Sequence, residues 1–522
     1  MPLARALLIA LLVVPVSAVP AAGQERPNIV FIFSDDHAAH ALSAYRSHLP
    51  YGVRLPDTPH LDRLAAEGML FTNAFVTNSI CGPSRATVLT GQYGHINGVP
   101  TNREELHPAS VTFPRLLKGA GYRTALFGKW HLKSRPVGFD HYEILTGQGP
   151  YYNPVLHSPT DSTRHRGYTQ DIITERALGW LETQRGADRP FLLLLHFNAP
   201  HRYWDPGPRQ LELYRDSVFA EPATFWDDGA RRASAFRLQE MEIARDLFAR
   251  DLKLEAPNGL SPEQRAAWNA AYDEENAAAA NLSGEALTRW KYQRYIGDYM
   301  RAVAALDDGV GRVLEQLERV GLEDNTLVVY ASDQGFFLGD HGWFDKRWMY
   351  EESLRTPLLV RWPGVVDSGS VNSHLVMNLD LAQTFLEAGG TPAPAAMQGR
   401  SLVPLLRGQA PADWRDAIYY QYFAYPDWHM VHRQYGVRTH RYKLIHYYEL
   451  GEWELFDLRR DPEELNSVYD EPAYAPVVRE LQARLQQLRA QYDVPAEDPV
   501  PHLPWDAPAG QRRPVSDRHG GH

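Results

Sequence analysis

Asn28-Ile29-Val30-Phe31-Ile32-Phe33-Ser34 is an unbroken apolar run of strand length. A strand with one wet face alternates polar and apolar residues; a strand apolar throughout is buried on both faces, as in a parallel sheet covered by helices. Similar runs follow at Arg123 to Phe127, Phe191 to His196 and Thr326 to Tyr330. Helical segments separate them. Thr58-Pro59 opens a helix through Leu61 to Ala65 that Gly68 stops, and Val111 to Leu117, Ile173 to Leu181 and Tyr295 to Val320 read as others. Leu358 to Arg361 and Leu375 to Met377 are further strands, and Leu381 to Ala388 is a helix ended by Gly389-Gly390. This alternation predicts an α/β fold, a doubly wound and mostly parallel sheet.

The chain of 522 residues is long enough for one large core and a smaller companion. Residues 1–23 pair a short apolar core with small residues and match an exported protein's signal peptide, which predicts a periplasmic or secreted product. No stretch is long and apolar enough to predict a membrane span. Residues 24–407 form the α/β domain, with a polar, Ala-rich insertion at 206–287 expected to be mostly helical. Residues 408–494 change texture. Aromatic-rich strands at Ile418 to Phe423, Tyr435 to Thr439, Tyr442 to Tyr447 and Trp453 to Asp457, then a helix at Val477 to Leu488, predict a small antiparallel sheet backed by one helix. Residues 495–522 are a Pro-rich tail. The formal net charge of −11 argues against nucleic acid, which needs a basic footprint. An anionic substrate must therefore be drawn in by local Lys and Arg.

In open α/β sheets, ligands bind beyond the carboxyl ends of the strands. Those ends carry chemistry here. The first strand runs into Asp35-Asp36-His37, the second into Gly128-Lys129-Trp130-His131, the third into Asn198-Ala199-Pro200-His201 and the last into Asp333-Gln334-Gly335. Each end alone reads as a turn, a cap or a solvated residue. Together, Asp35, Asp36, Asp333 and the amide oxygen of Gln334 make an all-oxygen set suited to a hard cation such as calcium or magnesium.

Cys81 is the only cysteine of the chain. Pro83 suits a first helical turn, so Cys81 falls at a helix N-terminus, where the dipole favours an anion, with Arg85 one turn on. A lone cysteine in an exported protein is either a small buried residue or a reactive group. A thiol redox enzyme is disfavoured, because no resolving cysteine exists.

Cys81-Gly82-Pro83-Ser84-Arg85, continuing Ala86-Thr87-Val88-Leu89-Thr90-Gly91, resembles the signature of the formylglycine-dependent sulfatases, and Gly128-Lys129-Trp130-His131 resembles their second motif. The resemblance spans nearly the whole chain and implies an alkaline-phosphatase-like fold. It implies that a maturation enzyme oxidises Cys81 to formylglycine, and that Asp35, Asp36, Asp333, Gln334 and residue 81 hold calcium, with magnesium the lesser choice. It further implies that Arg85 orients the nucleophile, Lys129 and Lys346 clamp sulfate, His131 takes a proton from the nucleophile and His201 protonates the leaving alcohol. Many relatives carry Asn where this chain has Gln334.

Residues 332–336, 343–347, 349–357, 435–446 and 453–458 resemble N-acetylglucosamine-6-sulfatase-type members, which implies a sulfated saccharide substrate and exo-acting removal of a 6-O-sulfate from its N-acetylglucosamine units. Asp345 and His429 are then candidates for sugar hydroxyls, and Tyr425 and Trp428 for stacking on a ring, with ordinary packing as the competing reading. Two other functions stay open. One is a phosphodiesterase or phosphonate monoester hydrolase of the same superfamily. The other is a binding protein on an inactive sulfatase fold, against which the intact Cys81 motif, lysines and histidines argue. Oligomeric state is not legible.

Overall fold

A computed structural model describes residues 26–501 of the chain, so the signal peptide expected at 1–23 and most of the tail lie outside the described residues. Its centre is a ten-stranded sheet. Five parallel strands form the middle, in the order Thr326–Ser332, Asn28–Ser34, Phe191–His196, Arg123–Lys129 and His141–Leu145. Strand Leu358–Arg361 joins one flank antiparallel, followed by Met69–Phe71 and Ser370–Asn372. Val155–His157 and Ser162–Arg164 extend the other flank, also antiparallel.

The continuous apolar runs explain why the middle strands are central. Side chains alternate across the sheet, so Phe31 and Phe33 enter one core while Val30 and Ile32 enter the other. Phe113–Gly119 and Leu381–Ala388 cover the first face; Pro59–Ala66, Thr169–Glu182 and Gly284–Arg319 cover the second. Helices on both faces make the sheet doubly wound, as expected.

The small sheet is also as expected: Ala417–Tyr422, Gln434–Thr439, Tyr442–Tyr447 and Glu452–Asp457 pair antiparallel in sequence order. Helix Ala475–Gln491 lays Leu481, Leu485 and Leu488 on it. The joint with the α/β body is both apolar and charged. Trp343, Trp348 and Tyr350 share a core with Val437, Leu444 and Phe456. Buried Glu351 meets Arg438 at 3.2 Å and Lys443 at 3.0 Å, and Lys443 meets Glu464 at 2.8 Å.

Three expectations need correction, and several flanking strands carry no sequence signal. The insertion is not mostly helical: residues 206–234 and 247–261 are turns and irregular chain, and helices are limited to Ala235–Leu238, Ile243–Asp246 and Pro262–Ala279. Its aromatics, such as Phe219 and Phe225, are buried one at a time without helical periodicity. The long helix begins at Gly284 rather than Tyr295, because its first turns are polar and lie outside the core. Val376–Met377 pairs with Ala74–Phe75 in a separate two-stranded sheet, not in the main one. The flanking strands near 69, 141, 155, 162 and 370 are short or polar and carry no apolar run to mark them. Among the described residues no helix is long and apolar enough to cross a membrane.

Candidate active site

The central strands end in register. Ser34 pairs with Ser332, Phe33 with His196, and His196 with Gly128. The loops that follow therefore converge on one edge of the sheet, and Asp35, Asp36, Lys129, His201, Asp333 and Gln334 all arrive there. Backbone bonds pin the turns: Asp35 N–H donates to the Ala199 carbonyl at 3.2 Å, and Asp333 N–H to the Ser34 carbonyl at 3.2 Å.

Three carboxylates meet at this edge, with ligand oxygens of Asp35, Asp36 and Asp333 within 4.8 Å of one another and all three fully buried. Three cations surround them. Arg85 Nε donates to Asp333 Oδ2 at 3.0 Å, and Arg85 Nη2 lies 3.8 Å from Asp35 Oδ1. Lys129 Nζ donates to Asp35 and to Gln148 Oε1. Lys346 Nζ donates to both oxygens of Asp36, at 2.6 and 2.5 Å. The titrations diverge accordingly. Burial pushes Asp35 up, but Lys129, His201, Arg85 and Lys346 outweigh it and hold the carboxyl well below its usual range. Burial with Asp35 and Asp345 nearby raises Asp36 to about 6 despite Lys346. Burial and Asp35 raise Asp333 well above its ordinary value.

Two oxygens here, Asp35 Oδ1 and Gln334 Oε1, are buried without a hydrogen-bond partner. Buried acceptors of this kind are costly unless something donates to or coordinates them. With the crowded carboxylates they make a hard, all-oxygen donor set that fits a divalent cation such as calcium. The amide nitrogen of Gln334 donates to Asp36 Oδ1 and lies 3.9 Å from Cys81 Sγ, so a longer side chain than Asn still brings its amide to the cluster.

Helix Cys81–Thr90 is buried along its whole length, and Cys81 is its first residue. Gly82 N–H donates to Asn102 Oδ1 at 2.9 Å, and Ser84 Oγ donates to the Asp333 carbonyl, which fixes the helix start against the loop that carries Asp333 and Gln334. Cys81 stands at the helix N-terminus as expected, but burial opposes an anion on its thiol there. Burial, with Asp35 and Asp333 nearby, pushes the Cys81 thiol far above its ordinary value despite Lys346 and Lys129. Arg85 reaches beneath the site to Asp333 and Asp35 rather than into open space. His131 and His201 face the same volume. Burial and then Lys129 push both imidazoles well below their ordinary values, leaving them neutral. His201 Nδ1 donates to its neighbour's carbonyl at 2.6 Å, which leaves Nε2 toward Asp36 at 3.7 Å.

Above this floor opens a cleft of about 670 Å³ that Cys81, His131, His201, Lys346, Asp345 and His429 line together. Asp345 Oδ2 and His429 Nε2 are 3.2 Å apart, and Arg347 donates to Asp345 Oδ1. His429 Nδ1 donates to the Glu240 carbonyl at 2.6 Å. Tyr425 does not reach the cleft; its ring stacks on His432 at 4.1 Å. Trp428 does line it.

Reading by motif left several residues unassigned. Arg202 follows His201, grips Asp251 through Nε at 2.6 Å and Nη2 at 2.5 Å, and donates from Nη1 to His429 at 3.3 Å. Arg347, Gln148 and Asn102 also line the cleft. Arg347 sits inside a stretch already singled out by resemblance; the other three carry no local signal. The backbone offers one: Asp36, His131, Asp345, Arg347 and His429 have φ of 69°, 54°, 77°, 92° and 66°. Non-glycine residues held there cost free energy, and such positions cluster at functional sites.

Comparison with known proteins agrees with this geometry. Residues 27–391 match the family model described as Sulfatase, and residues 339–491 match that for the C-terminal part of N-sulphoglucosamine sulphohydrolase. The chain is 44% identical over 492 residues to an N-acetylglucosamine-6-O-sulfatase of Bacteroides thetaiotaomicron, covering 90% of this chain and 87% of that one. It is 26% identical over 429 residues to human N-acetylglucosamine-6-sulfatase, covering 77% and 68%. A solved protein in complex with its substrate D-glucosamine-2-N,6-O-disulfate superposes with a TM-score of 0.87 at 42% identity, over 91% of this chain and 100% of that one. The phosphonate monoester hydrolase of Agrobacterium radiobacter, at 21% identity and a TM-score of 0.64, shares the fold alone. The chain belongs to the sulfatase family and is a sulfuric ester hydrolase.

Proposed function

We propose that the enzyme removes the 6-O-sulfate from terminal N-acetylglucosamine units of a sulfated glycan. The observation that carries this reading is the match over 90% of the chain to an enzyme of that name. The buried Asp345–His429 pair supports it, because it stands beside Lys346 at the depth where a sugar attached to the sulfate would lie.

Cys81, oxidised to formylglycine by a maturation enzyme, would supply a gem-diol hydroxyl as the nucleophile toward sulfur. Calcium held by Asp35, Asp36, Asp333 and Gln334 would ease deprotonation of that hydroxyl and offset negative charge on the sulfate oxygens. The protein's own groups do the rest. Lys346, which lines the cleft with Cys81, and Lys129, buried against Asp35 and Gln148, would stabilise charge that spreads over the sulfate oxygens as its bond to the sugar breaks. Arg85 holds Asp35 and Asp333 in their places. His131, neutral and with a free buried Nδ1, is able to accept the proton of the nucleophile. His201, whose Nδ1 donates to the Arg202 carbonyl, would take up a proton at Nε2 when the anionic ester binds beside it and would then pass that proton to the leaving oxygen.

A panel of sulfated monosaccharides that differ only in sulfate position tests the reading. Turnover of the 6-sulfated N-acetylglucosamine should exceed that of the 3-sulfated and 4-sulfated isomers. Preference for another position refutes the specificity, and faster cleavage of matched phosphate esters refutes the sulfatase chemistry.

A further inference from the structure

The three most exposed aromatic rings of the cleft stand at its mouth, on separate parts of the fold. Tyr203 is 38% exposed, Phe248 39% and Trp428 37%, whereas Cys81, Lys346, Asp345 and His429 are 1%, 2%, 3% and 7% exposed. This gradient orders the cleft by depth. Sulfate must lie at the floor beside Cys81, its sugar at Asp345 and His429, and whatever is bonded to that sugar at the rim. We propose that Tyr203, Phe248 and Trp428 form a second sugar subsite, which stacks on the pyranose ring of the unit next to the sulfated one. The proposal rests on the saccharide reading above.

Three observations support it. The cleft volume of about 670 Å³ exceeds the needs of a single sugar and falls mid-range for sites that hold drug-sized ligands, about the size of a disaccharide. The rings are held before any ligand arrives. Asp251 accepts the Phe248 N–H at 2.7 Å while gripping Arg202, whose guanidinium lies 4.9 Å from the Phe248 ring. The Trp428 N–H donates to Asp427 Oδ1 at 2.7 Å, and the next residue's carbonyl accepts from Glu240 N–H at 2.8 Å, tying this loop to the insertion. Preformed rings stack at low entropic cost. Finally, each arginine at the rim is matched by an aspartate: Arg250 with Asp205, and Arg103 with Asp427. Such pairs offer donors and acceptors to neutral hydroxyls without the net positive field a second anion would require.

The test compares kcat/KM on 6-sulfated N-acetylglucosamine and on a disaccharide carrying that unit at its non-reducing end. The wild-type enzyme should prefer the disaccharide about tenfold, through KM. Phe248→Ala and Trp428→Ala should each cut the disaccharide-to-monosaccharide ratio about 3- to 10-fold, the range of an aromatic contact. Trp428→Phe, which keeps a ring, should retain most of the preference. Equal wild-type values for the two substrates overturn the subsite, as do variants that slow both substrates alike. If another sulfate position is the one hydrolysed, the ratio is read on that isomer. A preserved preference there rejects the 6-O reading and keeps the subsite.

Discussion

Replacing Arg202 by methionine separates stability from substrate positioning. The Arg202 side chain is 10% exposed and that of Asp251 is 0% exposed. Their two parallel hydrogen bonds, at 2.6 and 2.5 Å, are the fork geometry that makes arginine hard to replace. Arg202→Met keeps an unbranched apolar side chain, loses the guanidinium that lies against the Phe248 and Phe344 rings, and leaves Asp251 as a buried carboxylate that still accepts the Phe248 N–H. Breaking a buried pair from one side costs about 3–5 kcal/mol. The same change removes the Nη1 contact to His429, so kcat/KM on the sulfated sugar should fall about tenfold, mainly through KM. The double variant Arg202→Met/Asp251→Asn removes the orphaned charge while its amide oxygen still accepts the Phe248 N–H. It should recover most of the lost stability and none of the lost kcat/KM. Thermal melting and steady-state kinetics on the three proteins read both quantities. A single variant that melts with the wild type, or a double variant that regains activity, refutes this division of labour.

Cys81→Ala should abolish turnover while leaving the melting temperature near that of the wild type, and mass spectrometry of the peptide containing residue 81 should show the thiol converted to aldehyde when a maturation enzyme is co-expressed; activity in the alanine variant sinks the mechanism. Chelation of divalent metal should stop turnover and lower the melting temperature, with calcium restoring both, whereas indifference to chelator counts against the donor set of Asp35, Asp36, Asp333 and Gln334. Glu464 provides a pH test away from the active site. Burial, with Glu351 nearby and Lys443 opposing, raises its carboxyl from an ordinary 4.5 to about 7. The folded state therefore holds that proton more tightly than the unfolded chain, and the stability this gives is present below pH 4.5 and lost as pH rises through 7. Glu464→Gln should flatten the loss of stability across that window; parallel slopes for the two proteins refute the assignment.

The parts of the fold written in single strands were legible, and the parts written between segments were not. Asn28–Ser34 announces a doubly covered strand because burial on both faces demands seven residues without a charge. The strand ends announce chemistry because Asp, Lys and His stand where such runs stop. The insertion hid its role, because turns that bury Phe219 or Phe225 singly leave no period to read. Arg202 and Gln148 hid for another reason. Their function lies in partners far along the chain, Asp251 and His429 for one and Lys129 for the other. The positive φ values at Asp345, Arg347 and His429 likewise belong to tertiary packing, since nothing in those residue types requests a left-handed backbone.

Cys81 shows how one local rule loses to a stronger one. A helix N-terminus lowers a thiol's pKa, and its dipole is worth up to about 2 kcal/mol in a favourable, partly buried geometry. Here burial dominates, Asp35 and Asp333 add to it, and the two lysines do not compensate. Taking an unpaired anion out of water costs several kcal/mol, more than the helix end returns. A thiol in this place stays protonated, and a protonated thiol is a poor nucleophile and a poor metal ligand. A hydroxyl differs in hardness rather than in resting charge. Like the protonated thiol it is neutral at rest, but it is a hard oxygen donor of the kind that a divalent cation such as calcium takes together with carboxylates. It need release its proton only when the substrate and a base such as His131 are in place. The same surroundings that keep a thiol at position 81 protonated accept an oxygen donor there, which is a physical argument for the proposed oxidation of Cys81 to formylglycine.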